Sequence, residues 1–339
     1  MAAGSYTVAI AGATGVVGGT VRRILEERSF PVGELRLLAS ARSAGRRLPF
    51  KGAELEVQRL GQGSFTGIDL VFFAAGGDIS REYAPQAVAA GATAIDKSSV
   101  FRMDPGVPLV VPEVNAEHLA SHTGIIATPN CSTIQMVVAL KPIYDAVGVQ
   151  RVVVSTYQSV SGSGQGGIAA LEAQARQWAA GEPVEPQFYP HQIAFNVLPH
   201  IDSFLPSGAT KEEQKMVDET TKIFADPDLK VTATCVRVPV FGAHSEALNV
   251  QTWRKLTAGE ARELLAGAPG IVVVDDPAEL RYPLPLDAEG KDPVYVGRIR
   301  EDVTVENGLD LWVVGDNLRK GAALNAVQIA EELVRRGLL

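Results

Sequence analysis

Apolar positions along the chain fall into two textures. Up to about residue 130 they come as short unbroken runs: Tyr6-Thr7-Val8-Ala9-Ile10-Ala11, Leu35-Arg36-Leu37-Leu38, Asp69-Leu70-Val71-Phe72-Phe73 and Ala92-Thr93-Ala94-Ile95. Between them the spacing is helical, with Val17, Val21, Ile24 and Leu25 on one face and a further helix candidate from Ser80 to Ala90. Strands that are apolar throughout and joined by helices predict a parallel sheet covered on both sides. After Cys131 the pattern alternates with period two, in Arg151 to Gln158, Val231 to Val238 and Ala247 to Trp253, with further strands at Val294 to Ile299 and Leu309 to Val314. That alternation predicts a mixed or antiparallel sheet with one exposed face. Asn317 to Gly337 reads as a closing helix with Ala323, Val327, Ala330 and Val334 on one side, and Gly181 to Pro206 as loop and short strand. No repeat or low-complexity tract interrupts this order.

Composition narrows the partners. With 31 Lys and Arg against 39 Asp and Glu, the 339-residue chain carries a net charge of -8 and lacks the basic balance that nucleic acid or an anionic membrane surface demands. At 46% hydrophobic and 21% charged residues it has material for two globular domains. The N-terminus shows no basic-then-apolar leader, and no apolar run approaches the roughly 20 residues of a membrane span. Cys131 and Cys235 lie in contexts that suggest no pairing. A cytoplasmic protein acting on small molecules is the expectation.

Gly12-Ala13-Thr14-Gly15-Val16-Val17-Gly18 follows the first strand and opens the first helix. Glycines in that place let backbone N–H groups and a helix N-terminus approach a pyrophosphate, so Gly12, Thr14, Gly15, Val16 and Val17 are candidate dinucleotide contacts. An NAD site usually sets an acid at the end of the second strand; here Leu38 is followed by Ala39-Ser40-Ala41-Arg42-Ser43. Hydroxyls and a guanidinium suit a 2′-phosphate, which points to NADP through Ser40, Ala41, Arg42 and Ser43. The competing reading makes Arg42, Arg46 and Arg47 a solvated turn.

Cys131 sits in Pro129-Asn130-Cys131-Ser132-Thr133, where a β-type run ends and Ile134, Val137, Val138 and Leu140 begin a helix. The positive end of a helix favours thiolate over thiol, which predicts a nucleophile, although buried cysteines are commonly inert packing. A thiolate beside a nicotinamide implies acyl transfer through a thioester, and that scheme needs an acid/base. His244, in Pro239-Val240-Phe241-Gly242-Ala243-His244-Ser245, is read as lying in a turn between two strands, whereas His118 and His122 look like surface residues.

These segments, together with Ser98-Ser99-Val100-Phe101-Arg102, Gln158-Ser159-Val160-Ser161-Gly162, Arg237-Val238-Pro239 and Gly315-Asp316-Asn317-Leu318-Arg319-Lys320-Gly321, occur in an order that resembles the aspartate-β-semialdehyde dehydrogenase family over essentially the whole chain. The resemblance implies an α/β fold. An N-terminal Rossmann-like dinucleotide-binding domain would span 1-130, completed by a C-terminal helix at 317-339, and 131-316 would form an α+β catalytic and dimerisation domain with a mixed sheet. It implies Cys131 as the thioester nucleophile, His244 as acid/base and Gln158 as the residue orienting the intermediate, with Asn130 helping to hold the substrate. Arg102 and Lys215 would bind phosphate, Arg237 the substrate α-carboxylate and Glu212 its α-ammonium. Ser161, Gly162 and Asn317 would join the cofactor contacts, and no metal is implied. Read from the residues alone, Glu212 and Lys215 form a surface ion pair on one helical face. Glu213 and Lys211 remain alternatives to them.

The implied reaction is NADPH-dependent reductive dephosphorylation of L-aspartyl-4-phosphate to L-aspartate 4-semialdehyde, releasing inorganic phosphate, by a homodimer on the route to lysine, threonine, methionine and diaminopimelate. The rivals are another acyl-phosphate reductase, such as N-acetyl-glutamyl-phosphate reductase, a glyceraldehyde-3-phosphate dehydrogenase, and a non-catalytic paralogue. Asp78 departs from the family pattern, as an acid close to where cofactor phosphates would lie.

Overall fold

The computed structural model describes residues 5–339. Met1–Gly4, part of the stretch on which the leader expectation rests, lie outside it. Packing divides the chain into two units, one holding the chain up to Pro129 together with Ala322–Leu339, the other Asn130–Gly321.

The first unit is a seven-stranded sheet in the order β3-β4-β2-β1-β5-β6-β7. Its elements are β1 (Tyr6–Ala11), α1 (Val16–Glu27), β2 (Val32–Ala39), β3 (Arg47–Phe50), β4 (Ala53–Arg59), β5 (Leu70–Phe73), α2 (Gly77–Ala89), β6 (Thr93–Asp96), the one-turn α3 (Pro112–Asn115) and β7 (Ile125–Ala127). All pairings are parallel except the β3–β4 hairpin. Burial of both faces explains the unbroken apolar runs. Val8 and Ile10 enter one core with Ile24 and Leu25, while Ala9 and Ala11 enter another with Phe73 and Ala84. Each large side chain buried in this way contributes roughly 1.5–3 kcal/mol. The sequence pattern missed the hairpin, and placed Arg47 in a turn, because its short strands are largely exposed and offer Phe50 and Val57 alone as fully buried positions. Its turn is made by Lys51 (φ 47) and Gly52 (φ 77), both left-handed as a tight hairpin requires.

The second unit contains α4 (Cys131–Val147), β8 (Val149–Gln158), α5 (Gln165–Ala179), α6 (Lys211–Phe224), β9 (Lys230–Arg237), β10 (His244–Thr252), α7 (Ala258–Ala266), β11 (Ile271–Val273), α8 (Pro285–Ala288), β12 (Val294–Asp302) and β13 (Gly308–Gly315). Its six-stranded sheet runs β11-β12-β13-β10-β8-β9. The sheet is mixed, since β8 is parallel to β9 and antiparallel to β10. Val152, Val154, Thr156 and Gln158 of β8 point into the core, whereas Val153, Ser155 and Tyr157 lie on the other, open face, where Val153 and Ser155 line a groove of about 460 Å³ with Asn249, Arg298 and Trp312. Gly181 to Pro206 forms no regular strand; Leu198 and Phe204 make isolated bridges to Arg237 and Thr210.

The chain ends in α9 (Leu324–Arg336) of the first unit, where Ala326, Ala330 and Leu333 join the core of α1 and Asn325 Nδ2 donates to the Val110 carbonyl at 2.9 Å. The helix thus starts later than Asn317. The Asp316 carboxylate accepts the amides of Leu318 and Arg319, both at 2.8 Å, and holds a separate turn there, and Arg319–Ala323 follows as a π-helical segment.

Candidate active site

Strand register explains how distant residues meet. Gln158, last in β8, pairs with Arg237, last in β9, and with His244, first in β10; His244 in turn pairs with Gly315, last in β13. Four strands therefore present Arg237, Gln158, His244 and Gly315 in one row, about 4.8 Å per step. This corrects the placement of His244 in a turn: it opens a strand and is wholly buried. The turn lies just before it, where Ala243 (φ 60) is left-handed.

His244 Nδ1 accepts the Ser159 amide at 3.0 Å, with Ser159 Oγ at 3.1 Å. A backbone N–H can only donate, so the neutral ring carries its proton on Nε2. Arg237 Nη1 donates to the Ser159 carbonyl at 2.7 Å. Both side chains end beside Gly162: a methyl group there would sit 3.0 Å from Arg237 Nη1 and 3.3 Å from His244 Nε2. Ser159 and Ser161 hydroxyls reach Asn317 Oδ1 at 3.2 and 3.1 Å, which ties two of the family-implied positions, Ser161 and Asn317, into one buried network with Ser159.

Cys131 is the first residue of α4 and is half-buried. Asn130 caps the helix, its Oδ1 accepting the Ser132 amide at 2.9 Å and, more weakly, that of Thr133 at 3.4 Å. The rest of Asn130 is held from α6: its Nδ2 donates to Glu212 Oε1 at 2.8 Å and its amide to Glu219 Oε2 at 2.6 Å. Glu212 Oε1 also takes Gln158 Nε2 at 3.1 Å, and Gln158 Oε1 accepts the Thr156 hydroxyl at 2.9 Å. One carboxylate thus positions both the cap of the helix that Cys131 opens and the neighbour of His244. On the other flank of Cys131, any side chain at Gly321 would press on it, its Cβ lying 3.0 Å from where the added carbon would be.

Lys215 donates to Glu212 Oε2 at 3.1 Å and to Asp202 Oδ2 at 2.8 Å. Burial opposes the charge of all three groups, yet the mutual pairing wins: the Glu212 and Asp202 carboxyls lie below their ordinary range and the Lys215 ammonium above its own. The surface-pair reading of Glu212 and Lys215 is therefore corrected, Glu212 being 6% exposed. Glu213 is taken up elsewhere, one oxygen closing the capping box with Thr210 and the other accepting the Cys235 amide at 3.0 Å. Cys235 is fully buried, and burial pushes its thiol far up, with Glu212 adding to the effect. Glu219, Ser159 and Asp202 were not found from sequence. The one available signal was that Glu219 follows Glu212 by seven residues, two turns along the same face.

In the first unit the phosphate-loop candidates lie between β1 and α1. Gly12 is left-handed (φ 90), and a methyl group on it would strike the Ala74 carbonyl oxygen at 2.7 Å. Gly15 caps α1 with no side-chain bond, and the first turn, which includes Val16 and Val17, holds no acid, so the N–H groups there present an uncompensated positive end. Thr14 is half-buried beside them. This cradle fits a pyrophosphate. After β2, Ser40, Ala41 and Arg42 are exposed and Ser43 is half-buried in a turn closed by the Ser43 amide on the Ser40 carbonyl, with no acid among them. The parallel pairing of β4 with β2 sets Arg59 opposite Ala39, a second cation near this turn that the missed hairpin concealed. Asp78 lies in the first turn of α2, fully exposed and paired to Arg81 at 3.0 Å. Arg102 is 5% exposed, and its Nη2 donates to the Lys97 carbonyl at 2.9 Å in a loop that Asp96 braces by accepting the Ser98 hydroxyl at 2.6 Å.

Among the described residues no His, Cys, Asp and Glu cluster suits a metal ion, and no helix is long and apolar enough to cross a membrane. Family models match residues 7–122 as "Semialdehyde dehydrogenase, NAD binding domain" and 140–320 as "Semialdehyde dehydrogenase, dimerisation domain". The aspartate-semialdehyde dehydrogenase of Aquifex aeolicus is 57% identical over 338 residues, 98% of this chain and 99% of the relative. A crystal structure of aspartate semialdehyde dehydrogenase II from Vibrio cholerae, complexed with ASA, superposes with a TM-score of 0.95 at 50% identity over 98% of each chain. The Candida albicans enzyme solved with NADP superposes with a TM-score of 0.77 at 26% identity, over 99% of this chain and 100% of that one.

Proposed function

Since the chain belongs to the aspartate-semialdehyde dehydrogenase family, we propose that it uses NADPH for the reductive dephosphorylation of L-aspartyl-4-phosphate to L-aspartate 4-semialdehyde, in the aspartate pathway to lysine, threonine, methionine and diaminopimelate. The observation that carries the reading is the row of Arg237, Gln158 and His244, coupled through Glu212 to the cap of the helix that Cys131 opens.

The Cys131 sulfur attacks the acyl carbonyl, a C–S bond forms, the C–O bond to phosphate breaks and inorganic phosphate leaves. Bound NADPH supplies the hydride that reduces the resulting thioester. His244 exchanges a proton through Nε2, since Nδ1 is committed to Ser159: it protonates the hemithioacetal oxygen after hydride transfer and takes that proton back as the C–S bond breaks, so that the aldehyde leaves and Cys131 returns as thiolate. Gln158 orients the thioester carbonyl from the next strand. Arg237 offers a planar fork to the substrate α-carboxylate, and Glu212 faces the α-ammonium. Arg102 and Lys215 serve the phosphate.

Asn130 acts by positioning, because Glu212 holds its amide nitrogen and its oxygen is taken up by the helix cap. The residues that would hold NADP are Gly12, Thr14, Gly15, Val16, Val17, Ser40, Ala41, Arg42 and Ser43, together with Ser161, Gly162 and Asn317. Asp78 is no obstacle, being turned to solvent with Arg81. The open face of the six-stranded sheet is the surface for a homodimer, and a cytoplasmic location keeps the Cys131 thiol reduced.

An N-acetylated substrate would have no ammonium for Glu212 to meet, which sets the N-acetyl-glutamyl-phosphate reductase reading behind this one. The test is NADP reduction with aspartate semialdehyde and inorganic phosphate. Phosphate-dependent turnover is expected, with NADP preferred over NAD at least about tenfold, or ~1.4 kcal/mol. Turnover that ignores phosphate, or that requires an N-acetyl group, would sink the reading.

A further inference from the structure

Two residues past His244, β10 carries a second polar group that the chemistry above does not use. Glu246 shares the His244 face of the sheet by the period of two and is 0% exposed. Neither of its carboxyl oxygens has a hydrogen-bond partner within bonding distance. From β8 it faces Thr156 and from β13 Val313. Helix α4 packs over the same face, since an added carbon on Gly315 would meet Gln135 Oε1 at 3.0 Å. Gln135 lies one turn after Cys131, is 1% exposed, and donates from Nε2 to the His244 carbonyl at 3.3 Å.

We propose that Gln135 and Glu246 are positioning residues for the reaction, which together fix the strand that carries His244 to the helix that begins at Cys131. The inference rests on the reading that Cys131 and His244 do the chemistry.

An ionised carboxylate buried without a partnering donor would be costly, so Glu246 folds as the uncharged acid. Its O–H is then a donor, and Gln135 is the side chain whose hydrogen bonding bears on it. Burial pushes the Glu246 carboxyl well above its usual range, with Gln135 pulling weakly the other way. Among the described residues, no charged side chain contributes to that shift. Beyond Thr156, β9 contributes the Cys235 thiol, with acidic Glu212 and Glu213 behind it, and Lys215 is engaged by Glu212 and Asp202. The neutrality has a use. A carboxylate at this place would favour a permanently charged His244 ring, whereas an acid and an amide hold the strand and leave the ring able to take and return a proton.

The sign of the pH dependence follows. An unfolded glutamate loses its proton near 4.5, while the native chain keeps it to higher pH. The native state then binds the extra proton, and stability falls as pH rises from about 4.5 towards the native value. Glu246→Gln removes that loss, so its melting temperature should rise relative to the parent by an amount that grows between pH 5 and pH 8.

The test compares the parent, Gln135→Met, Glu246→Leu and Glu246→Gln by steady-state kinetics and by melting temperature at pH 5 to 8. Gln135→Met should lower kcat by about tenfold or more while KM for semialdehyde and NADP stays within about threefold. Glu246→Leu should lose kcat similarly, and Glu246→Gln, which restores a neutral donor, should recover most of it. Parent-like kcat in Gln135→Met, equal kcat losses in Glu246→Leu and Glu246→Gln, or a melting-temperature offset that is flat in pH would each overturn the proposal. If Gln135→Met does not fold, the contrast between the two Glu246 variants decides. A parent that lacks phosphate-dependent turnover would instead overturn the reaction assignment, and the melting series would still judge the uncharged acid.

Discussion

The two sheets keep their polar chemistry in different kinds of place. In the seven-stranded sheet β1 and β5 are buried to their last residues, and what can meet an anion is backbone beyond the strand end: Gly12 at φ 90 and the uncapped first turn of α1. In the six-stranded sheet the strand ends themselves carry side chains, with Arg237, Gln158 and His244 abreast on three neighbouring strands. A parallel sheet covered on both faces leaves polar groups only the loops that follow its strands, so its site is contiguous in sequence. A mixed sheet assembles its site through register, from residues as far apart as 158 and 244, and it needs buried carboxylates such as Glu212 to hold the pieces.

The contrast is broken most severely at the thiol. Cys131→Ala should reduce turnover by at least about a thousandfold with cofactor affinity nearly intact, and iodoacetamide should label Cys131 well before Cys235, which is buried with its thiol pushed up. Rapid labelling of Cys235 or an active alanine variant would end the thioester scheme. Next comes the backbone site. Gly12→Ala forces a left-handed alanine against the Ala74 carbonyl, at about 1–3 kcal/mol for the backbone strain alone. The expected result is a KM for NADP raised by about tenfold or more with the KM for semialdehyde little changed; a normal cofactor KM would show that the loop is only a turn. The smallest effect sharpens the contrast. Arg237→Lys should cost about tenfold in kcat/KM for semialdehyde and spare cofactor binding, because an ammonium cannot reproduce the planar fork. Kinetics within twofold of the parent would reduce Arg237 to the strand residue that holds the Ser159 carbonyl.

The same contrast governs what was legible in the chain. The glycine loop, the thiol at a helix start and the strands flanking them could be read because their physics is local: φ freedom, an orphaned helix end, a run of apolar residues. His244 was found as a residue but misplaced, since only the pairing of β8 with β10 shows that it opens a strand beside Gln158. Glu219 and Gln135 looked like ordinary helix residues, because what singles them out is the Asn130 amide and the His244 carbonyl, contacts across 89 and 109 residues of chain. The β3–β4 hairpin escaped for the opposite reason: an exposed ribbon needs little periodicity to form against β2.

A site assembled by register counts residues. Removing or adding one residue within β8 would turn Gln158 to the opposite face of the sheet and carry Thr156 with it. The irregularities in the pairing of β10 with β8 and of β12 with β13 fall at Gln251/Thr252 and Gly297/Arg300, and the row at Gln158 and His244 runs without a slip. A change of length is therefore expected to be tolerated only in the loops that leave the row and at the distant strand ends. A library of single-codon insertions should show β8, β9 and the first half of β10 as closed segments, with tolerance returning at Gly181 to Pro206, where only isolated bridges would be disturbed.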